Sequence, residues 1–533
     1  MRAAIRMRAT LTVAMTAAFA LVVMRATANA TTYTVNTLDD SSGNSDCSLR
    51  DAINAANGIP TSGSICTTPG SGSNTIRFSV TGTISLASTL PQVMKTAGSL
   101  MINGPASPGI TIDGGHSVQV MQVASGVMLN INNLTIANGR LSPPIGDGVA
   151  KGGGVLNAGI MTVTNSTFSG NVGEHTALGG GIYNNGTMKL IRSVVSDNGV
   201  ANSGTGGGIY NNGTLTITDS TITNNGADPL AGCAGIYNNG MLIVTDSTFS
   251  GNNSEADGGG MCNGGTATVT NSTFSGNAAG DGGCGGISNS GSLTVISSTF
   301  SDDGGIFGGG MCNFATATVT SSTFSGNGGD LRGGGIYNGG GTLTVTNSTF
   351  SGNSSPFSQG GAIFNTGFAS VKNSIVAAST TTPAVGNCSG TITDAGYNIS
   401  DDNSCGFTAT GSQNSTNPGL SSDGLTNNGG PTQTIALAPG SPAIDVIPLA
   451  DCTDQASNRI ITDQRGALRP DAGELLCDIG AYEVQDLAGR PLCGIKSVLA
   501  LIRQFGSIKA AVSALGFPNV PALLKAIAVS CEG

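Results

Sequence analysis

A hexapeptide returns through the middle of this chain at an almost constant interval. Gly179-Gly-Gly-Ile-Tyr-Asn184 comes back as Gly206 to Asn211, Gly258-Gly-Gly-Met-Cys-Asn263, Gly308 to Asn313 and Gly333 to Asn338. The apolar residue after the glycines falls at Val155, Ile182, Ile209, Ile236, Met261, Ile287, Met311, Ile336 and Ile363, in steps of 24 to 27 residues. A second block follows the first: Thr162-Val-Thr-Asn-Ser-Thr-Phe-Ser-Gly-Asn171 recurs almost unchanged at Thr268 to Asn277 and Thr344 to Asn353. About nine units of roughly 26 residues mark a stacked array, in which no unit can bury its apolar face alone.

Within a unit, Leu215-Thr-Ile-Thr218 alternates apolar and polar, the period of a half-buried strand. Asn-Asn-Gly and Gly-Gly-Gly supply turns, because both residue types tolerate positive φ. No helix-length amphipathic pattern lies between the blocks, which argues against leucine-rich, ankyrin and tetratricopeptide arrays; a propeller blade needs a longer unit. The expected fold is all-β: a right-handed, single-stranded parallel β-helix of 24–27 residues per coil, stacked at about 4.8 Å per rung. Phe168, Phe249, Phe274, Phe300, Phe324 and Phe350 should then form one inner stack, with Val195 and Ile222 filling two rungs, and the Ile/Met column a second. Three residues before each of these, and one unit beyond the last, lies Asn165, Arg192, Asp219, Asp246, Asn271, Ser297, Ser321, Asn347 or Asn373, which reads as a turn ladder.

The termini differ from the array. Arg2, Arg6 and Arg8 precede an apolar run from Leu11 to Met24, and Ala28-Asn29-Ala30 has the form of a cleavage site. Residues 1–30 therefore read as a secretory signal, with no transmembrane span in the mature chain. Removing them takes four arginines from the 21 basic residues and leaves 17 against 31 acids, a formal charge of −14. That balance disfavours nucleic acid as a partner. Residues 31–100 are expected to hold a cap and the first coils. Ser48-Leu-Arg-Asp51 opens a helix, with Leu49, Ala52, Ile53 and Ala56 on one face. Coils occupy 101–385, a turn-rich segment 386–485, and a helical, disulfide-closed tail 486–533.

Twelve cysteines in an exported chain suggest disulfides. Local spacing suggests Cys47–Cys66, Cys388–Cys405, Cys452–Cys477 and Cys493–Cys531. Cys233 with Cys262, and Cys284 with Cys312, would join corresponding positions of adjacent coils; buried free thiols are the alternative.

Three stretches carry a family resemblance. Cys47-Ser-Leu-Arg-Asp-Ala-Ile53 resembles the CSLREA motif of exported bacterial repeat proteins, with Asp51 in place of the usual glutamate. Gly360-Gly-Ala-Ile363 and the Phe-x-x-Asn tetrapeptides, such as Phe168 to Asn171, resemble the repeats of polymorphic outer membrane proteins. Asp463-Gln-Arg-Gly-Ala-Leu-Arg-Pro470 with Cys477-Asp-Ile-Gly-Ala-Tyr-Glu483 is similar to a choice-of-anchor Q domain. The resemblance implies a right-handed β-helix, export, display at or release from the cell surface, and adhesin-like roles. It supplies no catalytic residue. No series of C-terminal amphipathic strands suggests an autotransporter barrel.

Parallel β-helices also host polysaccharide lyases and glycoside hydrolases, and fold alone does not decide. The best pair of carboxylates for such chemistry is Asp219 and Asp246, in one column of adjacent coils, with Arg192 on the preceding rung. Calcium is the only cofactor with candidate ligands, namely Asp219, Asp246, Glu255 and Asp257. Asp281, Asp302 and Asp303 read with Glu255 and Asp257 as solvated turn residues, and the charges at Asp463, Arg465, Arg469, Asp478 and Glu483 as a closure of the solenoid end. The reading is therefore a secreted or cell-surface scaffold, monomeric, binding extracellular glycans or surface proteins through a repetitive uncharged face. The alternative is a groove-acting polysaccharide lyase or glycoside hydrolase.

Overall fold

In the computed structural model, residues 30–485 are described except 42–44, 67–71, 95–97, 107–108, 143–148, 229–231, 357–359, 382–385 and 472–473; beyond 485 only Lys509 and Val520 are. The signal segment and the Cys493–Cys531 tail lie outside the described residues. The array is a parallel β-solenoid. One coil runs Val155–Asn157, Ile160–Thr164, Thr167–Ser169 and Val172–Gly173. Stacking these four strands generates parallel sheets of 11, 14, 13 and 10 strands respectively. Coiling begins before the regular repeat: Thr32–Val35 already pairs with Asn74–Phe78. It continues to Thr393–Asp394 and Ile399–Ser400, past the point where the sequence pattern fades.

The inner columns are those expected from the repeat. Phe249, Phe274, Phe300, Phe324 and Phe350 are fully buried and stack with ring centroids 4.5–5.0 Å apart. Each such side chain is worth about 1.5–3 kcal/mol of burial, plus about 0.5–1.5 kcal/mol per aromatic pair. Glycine is dictated by sterics where Gly179 and Gly206 open a unit. Both have positive φ, and a Cβ would lie 2.1 and 2.4 Å from the carbonyl oxygens of Ile182 and Ile209. The polar turn column is uniform. From Asn165 to Asn373 its nine members, Arg192 included, sit at φ of 47–52°.

The core also holds polar ladders that the repeat alone does not announce. Asn157, Asn184, Asn211, Asn238, Asn263, Asn289, Asn313, Asn338 and Asn365 are buried, and each Nδ2 before the last donates to the next Oδ1 at 2.6–2.8 Å. Ser166 through Ser374 form a second ladder, each backbone N–H donating to the next Oγ at 3.1–3.2 Å. A third runs from Asn171 to Asn353, and its sixth member is Asp303. Turn amides and carbonyls inside the coil need partners, and identical residues on successive rungs supply them to one another. Asp303 is thus a correction: it is 1 % exposed and part of the interior, whereas its neighbour Asp302 takes the solvated turn.

Both caps are visible. The helix α1 (Leu49–Ala56) carries a full capping box between Ser48 and Asp51, and buries Leu49, Ala52, Ile53 and Ala56 against the first coils. At the other end Cys388, Cys405 and Phe407 join the same core. Disulfides join Cys47–Cys66, Cys233–Cys262, Cys284–Cys312, Cys388–Cys405 and Cys452–Cys477, so the repeat cysteines are bridges and not free thiols. The two inter-coil bridges span Cα–Cα distances of 5.8 Å, ordinary for adjacent rungs.

Residues 417–485 turn back along the side of the solenoid. Thr299, Thr323 and Thr349 point outward from the phenylalanine sheet, yet all are buried by this segment. Gln464 spans two rungs: its Nε2 donates to Thr299 Oγ1 (2.8 Å) and its Oε1 accepts from Thr323 Oγ1 (2.6 Å). Ala481 N–H donates to Thr349 Oγ1 and Gly480 N–H to the Asn373 carbonyl. The charged residues expected to close the end instead form a buried knot in this segment. Arg469 Nε lies 2.9 Å from Glu483 Oε2, both at most 1 % exposed, and Arg465 pairs with Asp463 while its guanidinium lies over the Tyr482 ring. The difference follows from where the segment docks: Gln464 and Ala481, next to these charges in sequence, bond the threonine hydroxyls on the side of the coil.

Candidate binding face

The carboxylates selected for chemistry are exposed turn residues. Asp219 and Asp246 occupy consecutive members of the positive-φ column, with side chains in solvent. Arg192 does not face Asp219; its Nε donates to Asn165 Oδ1 on the other side at 3.1 Å. Glu255 and Asp257 are exposed in the turn before Gly258. Among the described residues no three His, Cys, Asp or Glu side chains converge as metal ligands.

One cleft near the C-terminal coils does contain carboxylates. Asp394 and Asp451 line it with Tyr397, whose hydroxyl donates to Asp451 Oδ2 at 3.2 Å. Asp394 is committed to structure. It accepts from the N–H groups of Gly396, Thr408 and Ala409, from Asn398 Nδ2 and from Ser412 Oγ. Burial raises its pKa, but these donors outweigh burial and hold it below the usual carboxylate value. A carboxylate so fully bonded is a turn staple.

The most extensive regular surface is the outside of the 14-stranded sheet. Its five-residue strands bury the second and fourth side chains and turn the first, third and fifth outward. On four adjacent rungs the outward triplets are Thr266/Thr268/Thr270, Ser292/Thr294/Ile296, Thr316/Thr318/Thr320 and Thr342/Thr344/Thr346, paired in register. None of these twelve side chains is ionisable. The only lysines of the third and fifth columns, Lys189 and Lys372, lie outside this block. Thr346 is covered by the returning segment; the other eleven are exposed or half-buried.

On the neighbouring 13-stranded sheet of the same coils, the rings of successive phenylalanines stack nearly parallel, at 8°, 2° and 10°.

A second surface collects aromatic groups. Arg332 lies over Phe307, Tyr337 and Phe364 at 5.3–5.6 Å and donates to the Tyr337 hydroxyl. Tyr183, Tyr210 and Tyr237 stack on one another at 5.1–5.4 Å, so their faces are spent within the row.

Comparison with models of known protein families, with curated proteins and with solved structures returns no match. The family resemblances therefore rest on the quoted residues alone. The repeat identified the outward threonine positions; it did not reveal the amide and serine ladders. Those were legible as recurrent Asn and Ser within the units, but both residues also suit turns.

Proposed function

We propose that this protein is an exported, surface-associated scaffold that binds an extended partner through the repetitive face of its solenoid, in an adhesin-like manner. The observation that carries the reading is the in-register, uncharged hydroxyl face of the 14-stranded sheet. Many equivalent weak contacts on a rigid lattice add up without any deep pocket. Five disulfides, and the lack among the described residues of any helix long and apolar enough to cross a membrane, fit an extracellular setting. The coil is taken as right-handed, the hand that strand crossovers favour, and glycans or surface proteins are the proposed ligands.

The test is binding of the purified mature chain to glycan and matrix-protein arrays, with a parallel screen for polysaccharide degradation. Asp219→Asn and Asp246→Asn are expected to leave binding unchanged. A carbohydrate-degrading activity that either substitution abolishes would overturn the scaffold reading in favour of the lyase or hydrolase alternative.

A further inference from the structure

Between Thr266 and Thr346 the outer face is a two-dimensional grid. Rungs repeat at about 4.8 Å, and outward residues within a strand at about 6.6–6.8 Å, twice the rise per residue. Eleven of the twelve grid points carry a hydroxyl, Ile296 being the exception. Ten of the eleven are threonine, whose branched Cβ restricts χ1 and fixes a methyl beside each hydroxyl. Among the described residues none of these side-chain hydroxyls makes a hydrogen bond within the protein, in contrast to Thr299, Thr323 and Thr349 on the neighbouring sheet. Apart from Thr346, which the returning segment covers, these hydroxyls are thus left for the solvent side.

The chemistry of the grid sets the kind of contact it can make. Without cations it has nothing for phosphate backbones. It has no aromatic or arginine anchor to concentrate binding energy at one point, so any contact is spread over many hydroxyl and methyl groups. A rigid lattice of alternating methyl and hydroxyl groups is suited to holding water in an ordered layer: methyl groups confine the waters and hydroxyls fix their positions. The rung spacing is close to the oxygen repeat along the a-axis of hexagonal ice.

We infer that this face binds ice, through Thr266, Thr268, Thr270, Thr316, Thr318 and Thr320 at its centre. The inference shares its surface with the scaffold reading but not its ligand. The waters are held by hydrogen bonding and methyl enclosure; no covalent step is involved.

The test is freezing hysteresis and ice-crystal shaping by the full mature chain, with Thr268→Tyr and Thr318→Tyr as variants on the grid. Thr221→Tyr, outward on the neighbouring sheet, is the control. The wild-type chain should shape growing ice into facets and depress its growth temperature. Each grid variant should lose most of that hysteresis with an unchanged circular dichroism spectrum, and the control should keep it. Round, unshaped crystals with the wild-type chain would overturn the inference, as would full hysteresis in both grid variants. Glycan or protein binding without any effect on ice would sink the ice reading and leave the scaffold standing. Binding to neither would sink both.

Discussion

Arg469→Ala is expected to release the returning C-terminal segment from the solenoid, at a cost of about 3–5 kcal/mol, while the coils stay folded. Arg469 is fully buried beside Glu483, with Asp478 and Asp463 also at 1 % exposure. Burial raises the pKa of Asp478 to about 6, against donation from the Val484 and Asp445 N–H groups and the charge of Arg469. Burial likewise raises Glu483 well above its usual value, and the Arg469 charge is the main influence opposing it. Removing the guanidinium leaves buried carboxylates without their counter-charge. The sign of the pH dependence follows. An acid whose folded pKa is raised costs nothing below its unfolded pKa of about 4, progressively more as pH rises from there to the folded value, and no more above it. The variant should therefore be nearly intact near pH 4 and increasingly detached through pH 6 and above. Hydrogen exchange resolved along the chain checks this. Protection should fall in 417–485 and persist across 155–350; uniform loss of protection, or none, would contradict it.

Asp303→Asn is expected to stabilise the solenoid by about 1–3 kcal/mol at neutral pH. In the third ladder each asparagine offers an Nδ2 that donates both to the next Oδ1 and to a carbonyl of the preceding coil, as Asn277 does to Phe249. Asp303 has only oxygens. Its Oδ1 accepts from the backbone N–H and Nδ2 of Asn277, but its buried Oδ2 has no hydrogen-bond partner. Burial pushes its pKa well up, outweighing the two Asn277 donors. When protonated, the acid regains a donor and imitates asparagine. The wild-type chain should thus match the variant near pH 3 and fall behind as pH rises above about 4, until the folded pKa is passed. Urea denaturation of both proteins across this range checks it. An Asn variant that is no more stable at pH 7, or equally favoured at pH 3, would contradict the assignment.

These two sites show where sequence reasoning reached and where it stopped. The apolar columns were legible because the period is nearly constant and one face of each short strand must be buried: Phe274 over Phe249, Ile209 over Ile182. The disulfides followed, since Cys233 and Cys262 fall on neighbouring rungs only in that register. Asp303 was misassigned because Asp302 and Asp303 stand side by side at a turn; which of them points inward depends on the ladder, and the ladder emerges only when coils stack. The returning segment was illegible for a different reason. Gln464 meets Thr299 and Thr323 across more than 140 residues of sequence, and nothing local to Gln464 marks it as a partner. For the candidate face, the alternation of Thr266-Ala-Thr-Val-Thr270 gave the outward positions, but the in-register pairing of the triplets is a property of the stack and not of one strand.

Every column, and with it the binding face, depends on the coil register. Mass mapping of the unreduced mature protein tests that register most directly. The account predicts Cys233 joined to Cys262 and Cys284 joined to Cys312, alongside Cys47–Cys66, Cys388–Cys405 and Cys452–Cys477. A Cys262–Cys284 or Cys233–Cys284 linkage would displace the rungs on which the threonine grid is built, and would contradict it.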